Sequence, residues 1–145
     1  MEDMHFSVLM SVYIKEKSQF LKESLNSVFN QTLPPDEVIL VEDGPLTDEL
    51  YSTINDFTEK HKELKIIPLK ENHGLGYALN IGLKHCKYNL VARMDSDDIC
   101  KPYRFEKEIT FMHDHKDIDI CSSWIDEFEN DKNECRITKK NSRNP

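Results

Sequence analysis

The stretch LVARMDSDD, residues 90–98, joins a short apolar run to a cluster of three carboxylates, Asp95, Asp97 and Asp98. An apolar run that is followed by polar turn residues is typical of a buried strand that ends at the surface. Carboxylates this close together repel one another, and a hard divalent cation among them relieves the repulsion. Mg²⁺ takes oxygen ligands of this kind, often one or two carboxylates together with phosphate oxygens. The stretch therefore predicts a strand that ends at a metal–phosphate site.

Strands and helices are predicted to alternate upstream of this stretch. Three earlier apolar runs predict strands at residues 6–12, 38–41 and 64–69, and residues 90–94 form the fourth. A first helix is predicted over about residues 17–30, and Thr47 is a plausible N-cap for a second. The loop at residues 72–76 leads into a third helix, and Pro102 opens a fourth.

Each predicted helix carries apolar residues at intervals of three or four, which predicts one buried face. In chain order, these predicted inward faces are Leu21, Leu25 and Val28; Leu50, Ile54 and Phe57; Leu75, Leu79 and Leu83; and Phe105, Ile109 and Met112. Alternation of strands and helices predicts an α/β fold, a three-layer α/β/α sandwich with a mostly parallel sheet.

The C-terminal part of the chain has a different character. Residues 118–128 predict extended structure in up to two short strands. From residue 129 onward the chain is polar, and a loose tail is predicted from Arg136 to Pro145. We therefore expect a single domain over residues 1–128, followed by a polar tail at 129–145.

Composition excludes several classes of partner. The 145 residues include 27 acidic and 19 basic side chains, a formal net charge of -8, which disfavours binding to nucleic acid. No apolar stretch is long enough to span a membrane, and the first residues lack a signal-peptide core. The four cysteines form no CxxC pair, so we expect reduced thiols in a cytoplasmic protein.

Polar groups follow three of the predicted strands at their carboxyl ends. Ser11 and Tyr13 lie at the end of the first strand, Asp43 at the end of the second, and Asp95 and Asp97 after the fourth. In open parallel sheets, ligands bind beyond the carboxyl ends of the strands. We therefore expect these side chains to converge on one ligand.

Six blocks of sequence, taken together and in order, resemble the nucleotide-binding half of a family 2 glycosyltransferase with the GT-A fold. The blocks are residues 7–13 (SVLMSVY), 24–32 (SLNSVFNQT), 37–44 (EVILVEDG), 72–82 (NHGLGYALNIG), 94–98 (MDSDD) and 102–105 (PYRF). The resemblance extends over about residues 6–128. No single block is specific, but their shared order is.

The resemblance implies a role for each of the converging residues. Ser11 and Tyr13 would line the base pocket, and Asp43 would accept a hydrogen bond from the base, typically from uracil N3–H. Asp95 would lie near the ribose and the metal, and Asp97 would coordinate the Mg²⁺ or Mn²⁺ that bridges the diphosphate. Structural alternatives stay open at this point: Tyr13 as a cap on the edge of the core, and Asp43 as a turn residue.

Two neighbouring groups also have two interpretations. Arg93 could reach a phosphate or pair with Asp95 or Asp97. The loop around Gly74 and Gly76 precedes a helix but lacks the third glycine and the lysine of phosphate-binding motifs. In the family, this segment shapes the wall of the pocket.

The resemblance implies an enzyme that transfers a sugar from a nucleoside-diphosphate sugar, typically a UDP-sugar, to a saccharide acceptor with inversion at the anomeric carbon. Its general base is expected beyond Pro145, in an acceptor-binding half. Location at the inner face of the membrane as a peripheral protein is compatible with this role. A second hypothesis is a non-catalytic nucleotide-binding or assembly module, whose exposed apolar surface would favour a homodimer. A phosphatase with an aspartate nucleophile is disfavoured, because such enzymes place D-x-D after their first strand.

Overall fold

A computed structural model describes residues 4–123, 125–128 and 135–139. Its elements, in chain order, are β1 (Phe6–Val12), α1 (Ser18–Phe29), β2 (Glu37–Glu42), α2 (Asp48–Lys60), β3 (Leu64–Pro68), α3 (Leu75–His85), β4 (Leu90–Arg93), α4 (Arg104–Asp114), β5 (Ile125–Phe128) and β6 (Cys135–Lys139). The predicted α/β class is confirmed, and the bounds of the first four strands were predicted to within about one residue. No helix within these ranges is long and apolar enough to cross a membrane.

The first four strands form one parallel sheet in the order β3-β2-β1-β4. Residues 7–12 of β1 pair with residues 37–42 of β2, and residues 6–9 of β1 pair with residues 90–93 of β4. The chain thus steps outward from β1 through β2 to β3 and then crosses back to the other side of β1. The order of the strands reverses between β1 and β4, the point at which open α/β sheets bind ligands.

The larger part of the core lies on the face of the sheet that α1, α2 and α4 cover. Alternate residues of β1, from Phe6 to Val12, point into it and are fully or almost fully buried. The rings of Phe6 and Phe105 meet edge to face, with centroids 5.3 Å apart. The predicted inward face of α1 is confirmed, since Leu21, Leu25 and Val28 are all fully buried. These contacts anchor three helices on one side of the sheet.

Local capping was also predicted correctly for α2. The side chain of Thr47 accepts a hydrogen bond from the backbone N–H of Leu50 at 3.2 Å, and Asp48 and Glu49 occupy the first turn. Both features stabilise a helix N-terminus, where backbone N–H groups lack partners and the dipole favours negative charge. Helix α2 therefore begins where its sequence predicts.

The opposite face of the sheet is smaller and is covered by α3. The buried sheet residues there are Leu9, Ile39 and Val41, and the buried residues of α3 are Ala78 and Gly82. A Cβ at Gly82 would lie 2.5 Å from Leu9 Cδ1 and 2.7 Å from Val41 Cγ2. The helix backbone therefore approaches the sheet so closely that only small residues fit between them.

This close approach overturns the predicted inward face of α3. Leu75 and Leu83 were expected to be buried, but they are 53% and 50% exposed. Leu79, the third member of the predicted stripe, packs on the smaller core but is only partly buried. The small residues, and not the leucines, determine which face of α3 contacts the sheet.

The C-terminal residues form a second sheet. Strands β5 and β6 pair as an antiparallel two-stranded sheet, with a register irregularity between Glu127 and Phe128. The prediction of a loose tail from Arg136 is therefore wrong for residues 136–139, which belong to β6. Of the described residues in the extended structure predicted over 118–128, residues 125–128 form a strand and residues 118–123 do not. The remainder of the predicted tail, residues 129–134 and 140–145, lies outside the described residues.

A buried carboxylate closes the amino-terminal edge of the sheet. Glu37 is 2% exposed, accepts hydrogen bonds from the Ser7 hydroxyl at 2.6 Å and from the backbone N–H of Lys87, and pairs with Lys65 at 3.2 Å. Burial by itself would raise the pKa of Glu37, but these three partners outweigh it and hold the pKa below its ordinary value. The carboxylate is thus fully accommodated and joins β1, β2, β3 and the segment before β4.

The packing of α3 can be tested with two glycines of the same helix. Gly82→Ala should lower the free energy of unfolding by about 1–3 kcal/mol, because the added methyl group overpacks the contact with β1 and β2. Gly76→Ala is the matched control. Its Cβ would meet nothing within 4 Å, so the reduced entropy of the unfolded chain should stabilise the fold by about 0.4–1 kcal/mol. Urea denaturation of both variants measures the difference, and equal stabilities would contradict the packing.

Candidate functional site

The candidate site lies at the carboxyl edge of the sheet, where β1 and β4 lie side by side. Backbone pairing continues past the end of β4, because the N–H of Met94 donates to the carbonyl of Leu9 at 3.1 Å. This bond brings the residues after β4 to the level of the end of β1. The predicted convergence of the three strand ends is therefore a property of the sheet itself, with β2 on the other side of β1.

The acid loop, residues 95–98, follows directly. It forms a turn in which the N–H of Asp98 donates to the carbonyl of Asp95 at 3.2 Å. Carboxylate oxygens of Asp95, Asp97 and Asp98 all lie within 4.8 Å of one another, and all three side chains are exposed. Ser96, between them, is buried instead. The three carboxylates of the turn are thus exposed, whereas the side chain of Ser96 is buried and holds the turn in place.

Desolvation and mutual repulsion both act on the carboxylates of the acid loop. Burial, the charges of Asp95 and Asp97 and a hydrogen bond with Asp95 raise the pKa of Asp98 to about 6, and the charge of Arg104 offsets only part of this. Arg93 forms an ion pair with Asp95 at 3.0 Å. Of the two interpretations of Arg93, the ion pair is therefore the contact present in this structure.

The donor set of the acid loop fits a hard divalent cation. It consists of oxygen ligands alone, and their spacing allows one ion to contact all three carboxylates. Mg²⁺ and Mn²⁺ both prefer carboxylate and phosphate oxygens. The residues present therefore suit the metal that the sequence predicts.

A hydrogen bond joins the acid loop to the segment after β1. The hydroxyl of Ser96 donates to the carboxylate of Glu16 at 2.5 Å, and the backbone N–H of Glu16 donates to the carbonyl of Tyr13 at 3.0 Å. Tyr13 is 44% exposed at the mouth of β1, so much of its ring faces solvent there. The predicted base-pocket residue and the predicted metal ligands are thus tied to each other across the end of the sheet. Ser11, two residues earlier in β1, is half-buried.

Asp43 is a structural anchor at the end of β2. It is 4% exposed, and its two carboxylate oxygens accept hydrogen bonds from the backbone N–H groups of His73 at 2.8 Å and Gly74 at 3.1 Å. The side chain of Asn72 donates to the Asp43 carbonyl at 3.2 Å. The loop before α3 therefore turns its amide N–H groups toward Asp43. The structure gives Asp43 the turn role that the sequence left open, and its contact with a base stays a prediction.

Gly44 allows this loop to lie so close to β2. Its φ of +89° belongs to the left-handed region, and a Cβ at this position would lie 2.6 Å from the backbone nitrogen of Asn72. Backbone cannot move aside as a flexible side chain can. The glycine after Asp43 is therefore required by the approach of the 72–74 segment.

Comparison with known proteins shows which family the chain belongs to. The family described as "Glycosyl transferase family 2" matches residues 7–143, which is nearly the whole chain. The chain belongs to glycosyl transferase family 2. The resemblance that the six sequence blocks indicated is thereby confirmed.

One relative is a UDP-Gal:alpha-D-GlcNAc-diphosphoundecaprenol beta-1,3-galactosyltransferase from Escherichia coli. It is 46% identical over 135 residues, which cover 93% of this chain and 49% of the relative. This chain therefore spans about half the length of the curated relative that it matches.

Solved structures of similar fold include two in complex with nucleotide sugars. Residues 1–349 of Staphylococcus aureus TarS in complex with UDP-GlcNAc superpose with a TM-score of 0.67 at 29% identity, over 77% of this chain and 32% of that one. The mannosyltransferase PcManGT from Pyrobaculum calidifontis, in complex with GDP-Man and Mn2+, gives a TM-score of 0.58 at 26% identity, over 66% and 28%. These neighbours are GT-A glycosyltransferases, so the predicted GT-A fold is confirmed.

Two residues of the candidate site were not assigned from the sequence. Asp98 was noted as a third acid but not as a ligand, although its oxygens lie in the same cluster as those of Asp95 and Asp97. Glu16 received no role, and nothing in its local pattern points to Ser96, 80 residues away. The unbroken D-x-D-D run could have signalled Asp98, whereas the partner of Glu16 depends on the pairing of β1 with β4.

Replacing Asp98 by Asn should raise the midpoint of thermal unfolding in metal-free buffer at about pH 7.5. The pKa of Asp98 is raised from 3.8 to about 6, so the folded state disfavours the charged form. That cost is present above the folded pKa and is relieved as the pH falls toward 3.8, so the gain should shrink at about pH 4.5. Scanning calorimetry at both pH values measures it.

Asp56→Asn, at an exposed position of α2, is the control for loss of a charge. Its midpoint should change little at either pH. A lower midpoint for Asp98→Asn at the higher pH, or an equal gain at both, would contradict the crowding of the three carboxylates.

Proposed function

We propose that this chain is the donor-binding part of a glycosyltransferase that transfers a sugar from a UDP-sugar to a saccharide acceptor with inversion. The observation that carries the proposal is the acid loop at the reversal of strand order, tied through Ser96 and Glu16 to the segment of Tyr13. Two proteins similar to it, the galactosyltransferase and TarS, are named with UDP-sugars, which supports a uridine nucleotide.

On this proposal, the nucleoside lies at the ends of β1 and β2. The exposed ring of Tyr13 stacks on the flat base, and the half-buried Ser11 lines the same pocket. Asp43 accepts a hydrogen bond from the base in addition to its two backbone contacts. This is compatible with its chemistry, because two carboxylate oxygens offer about four acceptor sites and the loop occupies two.

The diphosphate and the ribose lie at the acid loop. Asp97 and Asp95 would hold a divalent metal, Mg²⁺ or Mn²⁺, and Asp98 lies close enough to contribute an oxygen. When bound, the metal supplies positive charge that stabilises the diphosphate as a leaving group. PcManGT, a similar protein, was solved with Mn2+, which supports this cofactor.

The chemistry proposed for the complete enzyme is a single displacement. An acceptor oxygen forms a bond to the anomeric carbon as the bond from that carbon to the diphosphate oxygen breaks. The electron pair of the broken bond leaves with the diphosphate, and the acceptor proton passes to a general base. The residues assigned above act on the donor side of this reaction, where they orient the nucleotide and hold the leaving group.

The metal assignment predicts that UDP binds more tightly with Mn²⁺ than without it, and that Asp97→Ala removes the difference. The affinity of the variant for UDP in Mn²⁺ should fall by about tenfold or more, because even residues that only support metal ligands contribute 10- to 100-fold. Isothermal titration with and without Mn²⁺ measures this. Asp56→Ala, on the exposed surface of α2, is the control and should bind as wild type. Unchanged Mn²⁺-dependent affinity of Asp97→Ala would refute the assignment.

The base assignment predicts different effects for two changes at Tyr13. Tyr13→Ala should weaken UDP binding by about 5- to 150-fold, since stacking of a base on an aromatic ring contributes about 1–3 kcal/mol. Tyr13→Phe keeps the ring and should retain most of the affinity. Fluorescence or calorimetric titration of UDP against both variants tests the pair. Equal losses in the two variants would show that the ring does not stack on the base.

A further inference from the structure

We infer that a polar stripe on α1 positions the acid loop for metal-dependent donor binding. The α1 polar stripe consists of Ser24, Ser27 and Gln31, and all three contact the segment from Asp95 to Phe105. Spacings of three and four place them along one side of the helix and just past its end. The inference rests on the proposed function, because it concerns the same carboxylates.

Ser24 holds the beginning of the acid loop. Its side chain is fully buried, and its hydroxyl donates to the carbonyl of Asp95 at 3.0 Å. The folded state loses stability if a buried hydroxyl, or the carbonyl at the start of a turn, has no hydrogen-bond partner. This bond therefore fixes the position at which the loop leaves β4.

Ser27 holds the segment just after the acid loop. Its hydroxyl donates to the carbonyl of Ser24 at 2.7 Å and accepts from the backbone N–H of Cys100 at 2.9 Å. Both functions of the hydroxyl are therefore used, and its orientation is determined by the helix on one side and the loop on the other.

Gln31 holds the segment between the acid loop and α4. Its amide group donates to the carbonyl of Lys101 at 2.7 Å and to the carbonyl of Ser27 at 3.0 Å, and its carbonyl accepts from the N–H of Phe105 at 3.0 Å. The last bond satisfies an N–H group in the first turn of α4, which has no capping side chain of its own. Thr32 adds a backbone bond to the carbonyl of Pro102 at 2.9 Å.

The stripe contacts the backbone carbonyl of Asp95 and backbone groups of the segment after the acid loop. It does not contact the three carboxylates themselves. Three like charges within 4.8 Å repel one another, and a free turn would relax by moving them apart. Fixing both ends of the turn keeps the ligand oxygens together before the metal and donor arrive. Preorganisation of this kind raises affinity by lowering the cost of ordering the site.

The test compares Ser27→Ala with two matched variants. Ser27→Thr keeps the hydroxyl and should restore the wild-type behaviour. Ile54→Val removes a methylene from the buried face of α2, away from the stripe, and serves as a variant that loses stability without touching the loop. Each variant is titrated with UDP in the presence and absence of Mn²⁺, and its urea midpoint is measured in parallel.

We expect Ser27→Ala to bind UDP about tenfold more weakly in Mn²⁺ and about equally without it, as for other residues that support metal ligands. Ile54→Val should lose stability and keep its affinity. If Ser27→Ala loses only stability, as Ile54→Val does, the stripe is structural and the inference is overturned. If Ser27→Ala does not fold, Ser24→Ala tests the other anchor by the same criterion. If the wild type itself shows no Mn²⁺-dependent binding, the proposed function fails first and the inference falls with it.

Discussion

The parallel pairing of β1 with β4 is the contact on which the site depends. It brings together two segments that lie about 80 residues apart in sequence, and the bond from Met94 to Leu9 extends the pairing to the edge of the sheet. Without it, Tyr13 and the acid loop would have no fixed relation. Because β2 and β3 lie on the other side of β1, the crossing from β3 to β4 opens the crevice that α/β sheets use for ligands. The order of the strands therefore determines where the candidate site lies, and a few hydrogen bonds determine its geometry.

The two faces of the sheet are built on different principles. One face is filled by large side chains of three helices. The other depends on a close approach between one helix and two strands, which Gly82 permits. The leucines of α3 suggested the wrong buried face because periodicity ranks residues by hydrophobicity, whereas a close helix–sheet contact selects them by size. For the same reason, the α1 face, where large residues do fill the core, was predicted correctly.

The site was predictable to the extent that it consists of residue types at strand ends. The end of a buried strand is visible in the sequence, because polar residues follow an apolar run. This pattern located Asp95, Asp97, Asp43 and Tyr13. What could not be predicted are the partners: Ser24, Ser27 and Gln31 contact backbone groups, which carry no signature in the sequence. The strand β6 was missed because its apolar–polar alternation is short: Cys135 and Ile137 are its two apolar residues, and the surrounding segment is polar.

The carboxylates at the two ends of the sheet differ in one respect that bears on the energy landscape. Glu37, at the amino edge, has a partner for each of its oxygens, so the local interaction agrees with the global fold. In the acid loop the local interaction opposes the fold, because like charges repel one another in the compact turn that holds them together. The acid loop thus concentrates like charge in four residues at one edge of the sheet, where the local interaction opposes the fold. Removing one of these charges therefore relieves repulsion in the fold and, on the proposed function, also removes an oxygen ligand of the metal.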